Sequence, residues 1–159
     1  MEYLKTVDGN LLDAKEDYLA HQCNCITVRG NNLSKQMFNK YEYANTYKLR
    51  TRGDKKTYDT PGTIAIKGNG IDKRYVINMY GQYYPSVSKY ANDTTDKRIQ
   101  WFKECLDEIS KIDDIHNKTM AMPSRIGCGA AAGDWKQYYK IIQDFANKEK
   151  IHITLYKLE

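Results

Sequence analysis

Apolar residues recur at three- and four-residue steps in some stretches of this chain and alternate or cluster in short runs in others. That contrast sets out the elements. Ile99, Phe102, Leu106, Ile109 and Ile112 form the clearest helical stripe, which predicts a helix from Asp93 or Thr94 to about Ile115. Tyr138, Ile141, Ile142 and Phe145 mark another, opening at Asp134-Trp135 and running to about Lys148. Leu33, Met37 and Phe38 mark a shorter one over Leu33–Lys40. Strand character falls on Glu2–Val7, Tyr18–Cys25, Thr63–Lys67, Arg74–Tyr80, Met120–Pro123 and Ile151–Leu158, with turn signals at Asp8-Gly9-Asn10 and Gly68-Asn69-Gly70. Tyr41–Thr60 has no clear period and is expected to mix a helix end with surface loop, its tyrosines exposed.

The order β-β-α-β-β-α-β-α-β predicts one α/β domain spanning residues 1–159, a three-layer α/β/α fold with a central mixed sheet of about six strands. The hairpin-length connection Gly68–Gly70 requires some antiparallel pairing, which excludes a purely parallel Rossmann sheet.

Composition narrows the class. The chain of 159 residues is 41% hydrophobic and 28% charged, with a mean hydropathy of −0.76. It is long enough to bury a core without disulfides or metal, and its N-terminus alternates instead of running from charge into an apolar stretch. With no apolar run of membrane-spanning length, a soluble cytoplasmic protein with no membrane partner is expected. The net charge of +5 is scattered among acids along the whole length, which points to solubility and not to specific nucleic-acid binding. No cluster of metal-ligating residues is visible around Cys23 and Cys25, and no metal site or cofactor is expected. The Lys-, Asn- and Tyr-rich composition is that of an AT-rich genome, viral ones included.

Chemistry concentrates in Met120–Trp135, where a strand, a loop with Gly127, Gly129 and Gly133, and a helix start follow one another. Small residues let a ligand reach backbone N–H groups that a helix start leaves unpaired, so this arrangement suits a phosphate or diphosphate, and a nucleotide is the expected ligand. The loop has neither the Lys-Ser/Thr ending of a P-loop nor G-x-G-x-x-G spacing. A second strand ending in His21, Gln22 and Asn24 can deliver polar side chains to the same sheet edge.

Four pieces, Asp8–Leu12, His21–Cys25, Tyr75–Tyr84 and Ile126–Gly129 with Gly133-Asp134-Trp135, together resemble a macro domain, the ADP-ribose-binding fold. The similarity is to the stand-alone branch linked to ADP-ribose 1″-phosphate processing, and it covers nearly the whole chain. It implies that Asn10 reads the adenine amino group, in place of the usual acid, with Leu11 beside it and Tyr156 packed near the ring. It also implies that Asn24 holds the distal ribose, and that a first loop containing Gly30 and Asn31 lines the phosphate side. A second loop, made of Ile126, Gly127, Cys128, Gly129, Ala130, Ala131, Ala132 and Gly133, would wrap the diphosphate. Gly30-Asn31-Asn32 departs from the glycine run usual in related sequences, which bears on catalysis more than on binding.

For hydrolysis at the distal ribose, His21 is the best proton-transfer group and Asp134 the second, though Asp134 also suits a helix N-cap. The family context makes Cys128 a small packing residue under the loop. The lysine nucleophile of one deglycosylating branch has no match in Tyr80–Tyr83, and the acid of its diphosphate loop falls on Ala131. Two functions follow from the resemblance. One is a hydrolase of ADP-ribose 1″-phosphate or a related ADP-ribosyl or O-acetyl ester, toward which His21 and Asp134 tip the balance. The alternative is a non-catalytic module that binds ADP-ribose or an ADP-ribosylated macromolecule.

Overall fold

Parallel strands covered on both faces read as near-continuous apolar runs, and the middle of this sheet does so: Tyr18–Cys23 and Tyr75–Tyr80 are buried at all but one position each. In the computed structural model, which describes residues 2–158, β1 (Leu4–Asp8), β2 (Tyr18–Cys23), β3 (Ile64–Lys67), β4 (Tyr75–Tyr80), β5 (Thr119–Pro123) and β6 (His152–Lys157) form one six-stranded sheet. Its order is β1-β6-β5-β2-β4-β3, and only β3 runs antiparallel to its neighbour. That pairing is made by the turn at Gly68, where φ is +97° and a Cβ would sit 2.1 Å from the Arg74 carbonyl oxygen, so only glycine fits.

Three helices, α1 (Asn32–Lys40), α2 (Thr95–Ser110) and α3 (Trp135–Glu149), complete the layers. On one face Ala20, Ile77, Met79, Met120 and Met122 meet Phe102 and Ile109 of α2 and Tyr138 and Ile142 of α3. On the other, Leu19, Cys23, Val76 and Tyr80 meet Met37 and Phe38 of α1 together with Leu11, Tyr41 and Tyr47. The architecture is the mixed-sheet α/β/α fold that the periodicity implies.

Besides shifts of a residue or two at other strand ends, three features differ from expectation. α2 ends at Ser110, because Asp113 and Asp114 are poorly placed at the negative end of a helix dipole and Asp114 takes a left-handed φ of 63°. β2 stops at Cys23, where Asn24 begins a turn. The segment 41–60 is not simply surface: it folds into three short 3-10 turns, Glu42–Ala44, Tyr47–Leu49 and Lys55–Thr57, and buries Tyr41, Tyr47 and Arg50.

One point in this topology opens a crevice. The chain leaves β2 toward α1 on one face and leaves β5 toward α3 on the other, and the next parallel strands are added on opposite sides. β2 and β5 pair only through Tyr18 with Met120 and Leu19 with Ala121, although both strands continue to Cys23 and Pro123. Such a switch point at the carboxyl ends of parallel strands is where open α/β sheets bind ligands.

Candidate ligand-binding cleft

The crevice beyond β2 and β5 widens into a cleft of about 410 Å³, within the range of small-molecule sites. Gln22, Asn24 and Tyr47 line one part, Gln82, Pro85 and Ser86 another. The remaining walls are two backbone segments, Asn31–Ser34 at the start of α1 and Pro123–Ala131 after β5, the latter without Cys128.

Both segments offer unpaired donors. Asn31 caps α1, its side-chain oxygen accepting from the Asn32 N–H at 3.0 Å, and the N–H groups of Leu33 and Ser34 have no partner among the described residues. Asn32 holds φ at 51°, a left-handed conformation that asparagine tolerates, and thereby does what a glycine does in this position. Gly30 lies just behind: a Cβ there would come within 2.9 Å of the Lys35 nitrogen. Across the cleft, the N–H groups of Gly127, Gly129, Ala130 and Ala131 are likewise free, while Cys128 N–H is bonded to Arg125 and Gly133 N–H to Gly127. Gly133 is required by this loop, since a Cβ would stand 2.6 Å from the Gly127 carbonyl oxygen.

Charge in the cleft is one-sided. Among the described residues Arg125 is the only charged one lining it, and no carboxylate, histidine or lysine does so. Arg125 and Ala132 both hold positive φ, at 67° and 59°, so the loop carries backbone strain of the kind that gathers at binding sites. Gln22 adds a second tension. Its Nε2 donates to Gln82 Oε1 at 2.6 Å, and Gln82 Nε2 donates to the Tyr84 carbonyl, which fixes both amide orientations. Gln22 Oε1 is left buried and unpartnered, against Gly81 and Gly127.

The sequence-predicted residues divide. Asn24, Asn31, Ile126, Gly127, Gly129, Ala130 and Ala131 line the cleft. Gly133 and Asp134 instead line a shallower neighbouring recess with Arg125, Trp135, Lys136 and Tyr139. There Asp134 is exposed and caps α3, accepting from the Lys136 N–H at 3.1 Å. Cys128 is buried behind the loop, and desolvation pushes its thiol up to about 11, so it is not a thiolate near neutrality. Asn10 is a cap, its side-chain oxygen taken by the Leu12 N–H at 3.0 Å, and Leu11 is buried in the core. Tyr156 bonds Glu16 through its hydroxyl at 2.8 Å; its carbonyl accepts from Ser124 N–H at the rim of the cleft.

His21 is the clearest correction. It is fully buried on the α1 face of the sheet, edge-on to Phe38 with ring centroids 5.4 Å apart, and does not reach the cleft. Its Nε2 lies 2.7 Å from Asn78 Oδ1. Because Asn78 Nδ2 already donates to the Ala44 carbonyl and Thr46 Oγ1, the Asn78 oxygen must accept, which places the His21 proton on Nε2. Desolvation lowers the imidazole pKa from 6.5 to about 4, only partly opposed by that hydrogen bond. It is a neutral core residue with no ligand-facing atom.

Sequence reasoning brought Gln22 to the sheet edge without giving it a role, and missed Ser34, Tyr47, Gln82 and Arg125 as lining residues. Strand parity separates Gln22 from His21: in a strand whose sides alternate, Gln22 faces away from His21, whose flanking same-side residues Leu19 and Cys23 are apolar. Among the described residues no group of three or more His, Cys, Asp or Glu is placed to hold a metal ion, and no helix is long and apolar enough to cross a membrane.

No protein-family model matches the sequence, and no curated protein is similar enough to count as a match. Solved structures do match. The macrodomain of Mycobacterium tuberculosis DarG superposes with a TM-score of 0.76 at 18% identity, covering 99% of this chain and 98% of that one. Thermosipho africanus DarTG in complex with ADP-ribose gives 0.72 at 15% identity, over 99% of this chain and 42% of that one. The Trypanosoma brucei macrodomain in complex with ADP-ribose gives 0.64 at 10%, over 98% and 63%. At such identities the likeness establishes the fold, and this chain has the macrodomain fold.

Proposed function

We propose that this chain binds ADP-ribose, free or as the terminal group of a larger molecule, in the cleft between β2 and β5, and that it does so without turning it over. The observation that carries the reading is the pair of facing backbone segments, Leu33–Ser34 and Gly127–Ala131, whose unpartnered N–H groups, that of Cys128 excepted, face a cleft in which Arg125 is the single charge among the described residues. Such an array complements the spread negative charge of a diphosphate. The two fold neighbours above that hold ADP-ribose add support. On this reading the diphosphate lies between the segments, the adenosine runs over Pro123 and Ser124 toward Tyr156, and the terminal ribose meets Asn24.

Binding is favoured over hydrolysis because, among the described residues, the lining offers no group that exchanges a proton near neutrality. His21, on which the hydrolytic reading leaned, is sealed in the core. One observation favours the enzyme instead: Asp134 stands in the recess that shares Arg125 with the cleft.

Calorimetric titration with ADP-ribose, followed by a phosphate-release assay on ADP-ribose 1″-phosphate, tests both. The expected result is saturable binding without phosphate release. Gly133→Ala, which drives a methyl into the Gly127 carbonyl, should weaken binding roughly tenfold or more. Absence of binding, or undiminished binding in Gly133→Ala, would count against the cleft. Phosphate release that Asp134→Ala abolishes would replace the binding module with a hydrolase.

A further inference from the structure

Arg50 is one of the most completely used side chains in the molecule, and it acts on the cleft from behind. It is 5% exposed and makes five hydrogen bonds. Nε and Nη2 hold Asp59 Oδ2 at 3.1 and 2.7 Å, Nη2 also reaches the Asn24 carbonyl at 2.7 Å, and Nη1 reaches the Thr27 carbonyl at 2.9 Å and Asn24 Oδ1 at 3.3 Å. Its guanidinium stacks 4.2 Å from the centre of the Tyr47 ring, and the Tyr47 hydroxyl accepts the Asn24 N–H at 2.8 Å.

The consequence falls on Asn24. Its side-chain oxygen accepts from Ile26 N–H, Thr27 N–H, Thr27 Oγ1 and Arg50 Nη1, at 3.0 to 3.3 Å. Two of these donors are backbone amides that cannot act as acceptors, so the orientation of the amide is fixed. Its backbone N–H and carbonyl are taken by Tyr47 and Arg50. Only Nδ2 is left, with no partner among the described residues and not sealed from solvent, on a residue that lines the cleft. Asn24 therefore has one hydrogen-bonding group left to offer, and it is a donor.

We propose that Arg50 is a positioning residue for ligand recognition: by occupying the oxygens of the Asn24–Thr27 turn it holds the Asn24 amide nitrogen toward the cleft, where it selects a ligand that places an acceptor oxygen, a terminal sugar hydroxyl, at that wall. The inference rests on the ADP-ribose reading above. Lysine cannot replace arginine here, since a tetrahedral ammonium neither lies flat on Tyr47 nor serves two carbonyls, an amide and a carboxylate together.

The test is the ratio of ADP-ribose to ADP affinity, because ADP lacks the terminal ribose and a merely structural role would weaken both ligands alike. Wild type should prefer ADP-ribose. Asn24→Ala should cut ADP-ribose affinity about tenfold and leave ADP unchanged. Arg50→Lys should reproduce that selective loss, and the double variant should lose no more than either single one. Should Arg50→Lys not fold, Asp59→Asn, which keeps the arginine but loosens its fork at a partly exposed position, should give the same selective loss in smaller measure. Equal weakening of both ligands, multiplying losses in the double variant, or unchanged selectivity in both Arg50→Lys and Asp59→Asn overturns the role of Arg50 alone. A wild type that binds neither ligand overturns the ADP-ribose reading, and this inference with it.

Discussion

Asp93→Ala is expected to remove about 3–5 kcal/mol of folding stability, because it strands a buried arginine. Asp93 is fully buried and Arg98 nearly so; they meet through two hydrogen bonds, Nε to Oδ1 at 2.7 Å and Nη2 to Oδ2 at 2.8 Å. Asp93 also accepts the Tyr84 N–H at 2.8 Å, and Arg98 reaches the carbonyls of Ser86 and Tyr84. The pair thus ties the start of α2 to the loop whose Pro85 and Ser86 line the cleft, and through the Tyr84 carbonyl it orients Gln82 and Gln22. Once the carboxylate is gone, the guanidinium keeps two carbonyls but has no countercharge in a water-excluded site. Urea denaturation followed by tryptophan fluorescence gives the loss directly. Asp93→Ala combined with Arg98→Met should be less destabilised than Asp93→Ala alone, since it removes the charge together with its partner. A loss below about 1 kcal/mol in the single variant, the size of an exposed pair, would contradict the burial argument.

Acidification should destabilise the fold through His21, by about 3 kcal/mol once the pH has fallen below the folded pKa. The sign follows from the direction of the shift. Burial lowers the imidazole from 6.5 to about 4 in the folded chain, so the unfolded chain takes up the proton first. Stability is full above pH 6.5, declines by about 1.4 kcal/mol per unit as the pH falls toward 4, and levels off below that. The window from pH 6.5 to 5 is the informative one, because most carboxylates are still ionised there. His21→Gln, which can still donate to Asn78, should lower stability at pH 7 yet flatten the curve across that window. The other two histidines, His116 and His152, are exposed and remain in the variant as an internal control. Equal slopes for wild type and His21→Gln would show that His21 does not carry the effect.

The order of elements was legible because periodicity is a local property: α2 and α3 show their buried stripes, and the hairpin at Gly68 shows its turn, without reference to any distant residue. The Gly127–Gly133 loop was legible for the same reason, as small residues between a strand and a helix. The segment 41–60 was not. Its 3-10 turns have no period of their own, and the burial of Arg50 depends on Asn24 and Asp59, partners that only the tertiary fold brings together. His21 misled because residue type was weighed above strand parity. A polar strand end looked like a site, but the alternation of β2 turns Gln22 to the cleft and His21 to the core. Asn32 shows the converse: the missing glycine run looked like a defect, whereas asparagine adopts the left-handed backbone that the turn needs.

The central claim is that two facing rows of backbone amides hold the diphosphate of ADP-ribose, and amide-resolved NMR titration tests it most directly. Titrating ADP-ribose into the isotopically labelled protein should move the amide signals of Leu33, Ser34, Gly127, Gly129, Ala130 and Ala131 together along one saturable curve, with little change on the far side of the sheet. Saturable shifts confined to other residues, or no shifts at millimolar ligand, would contradict it.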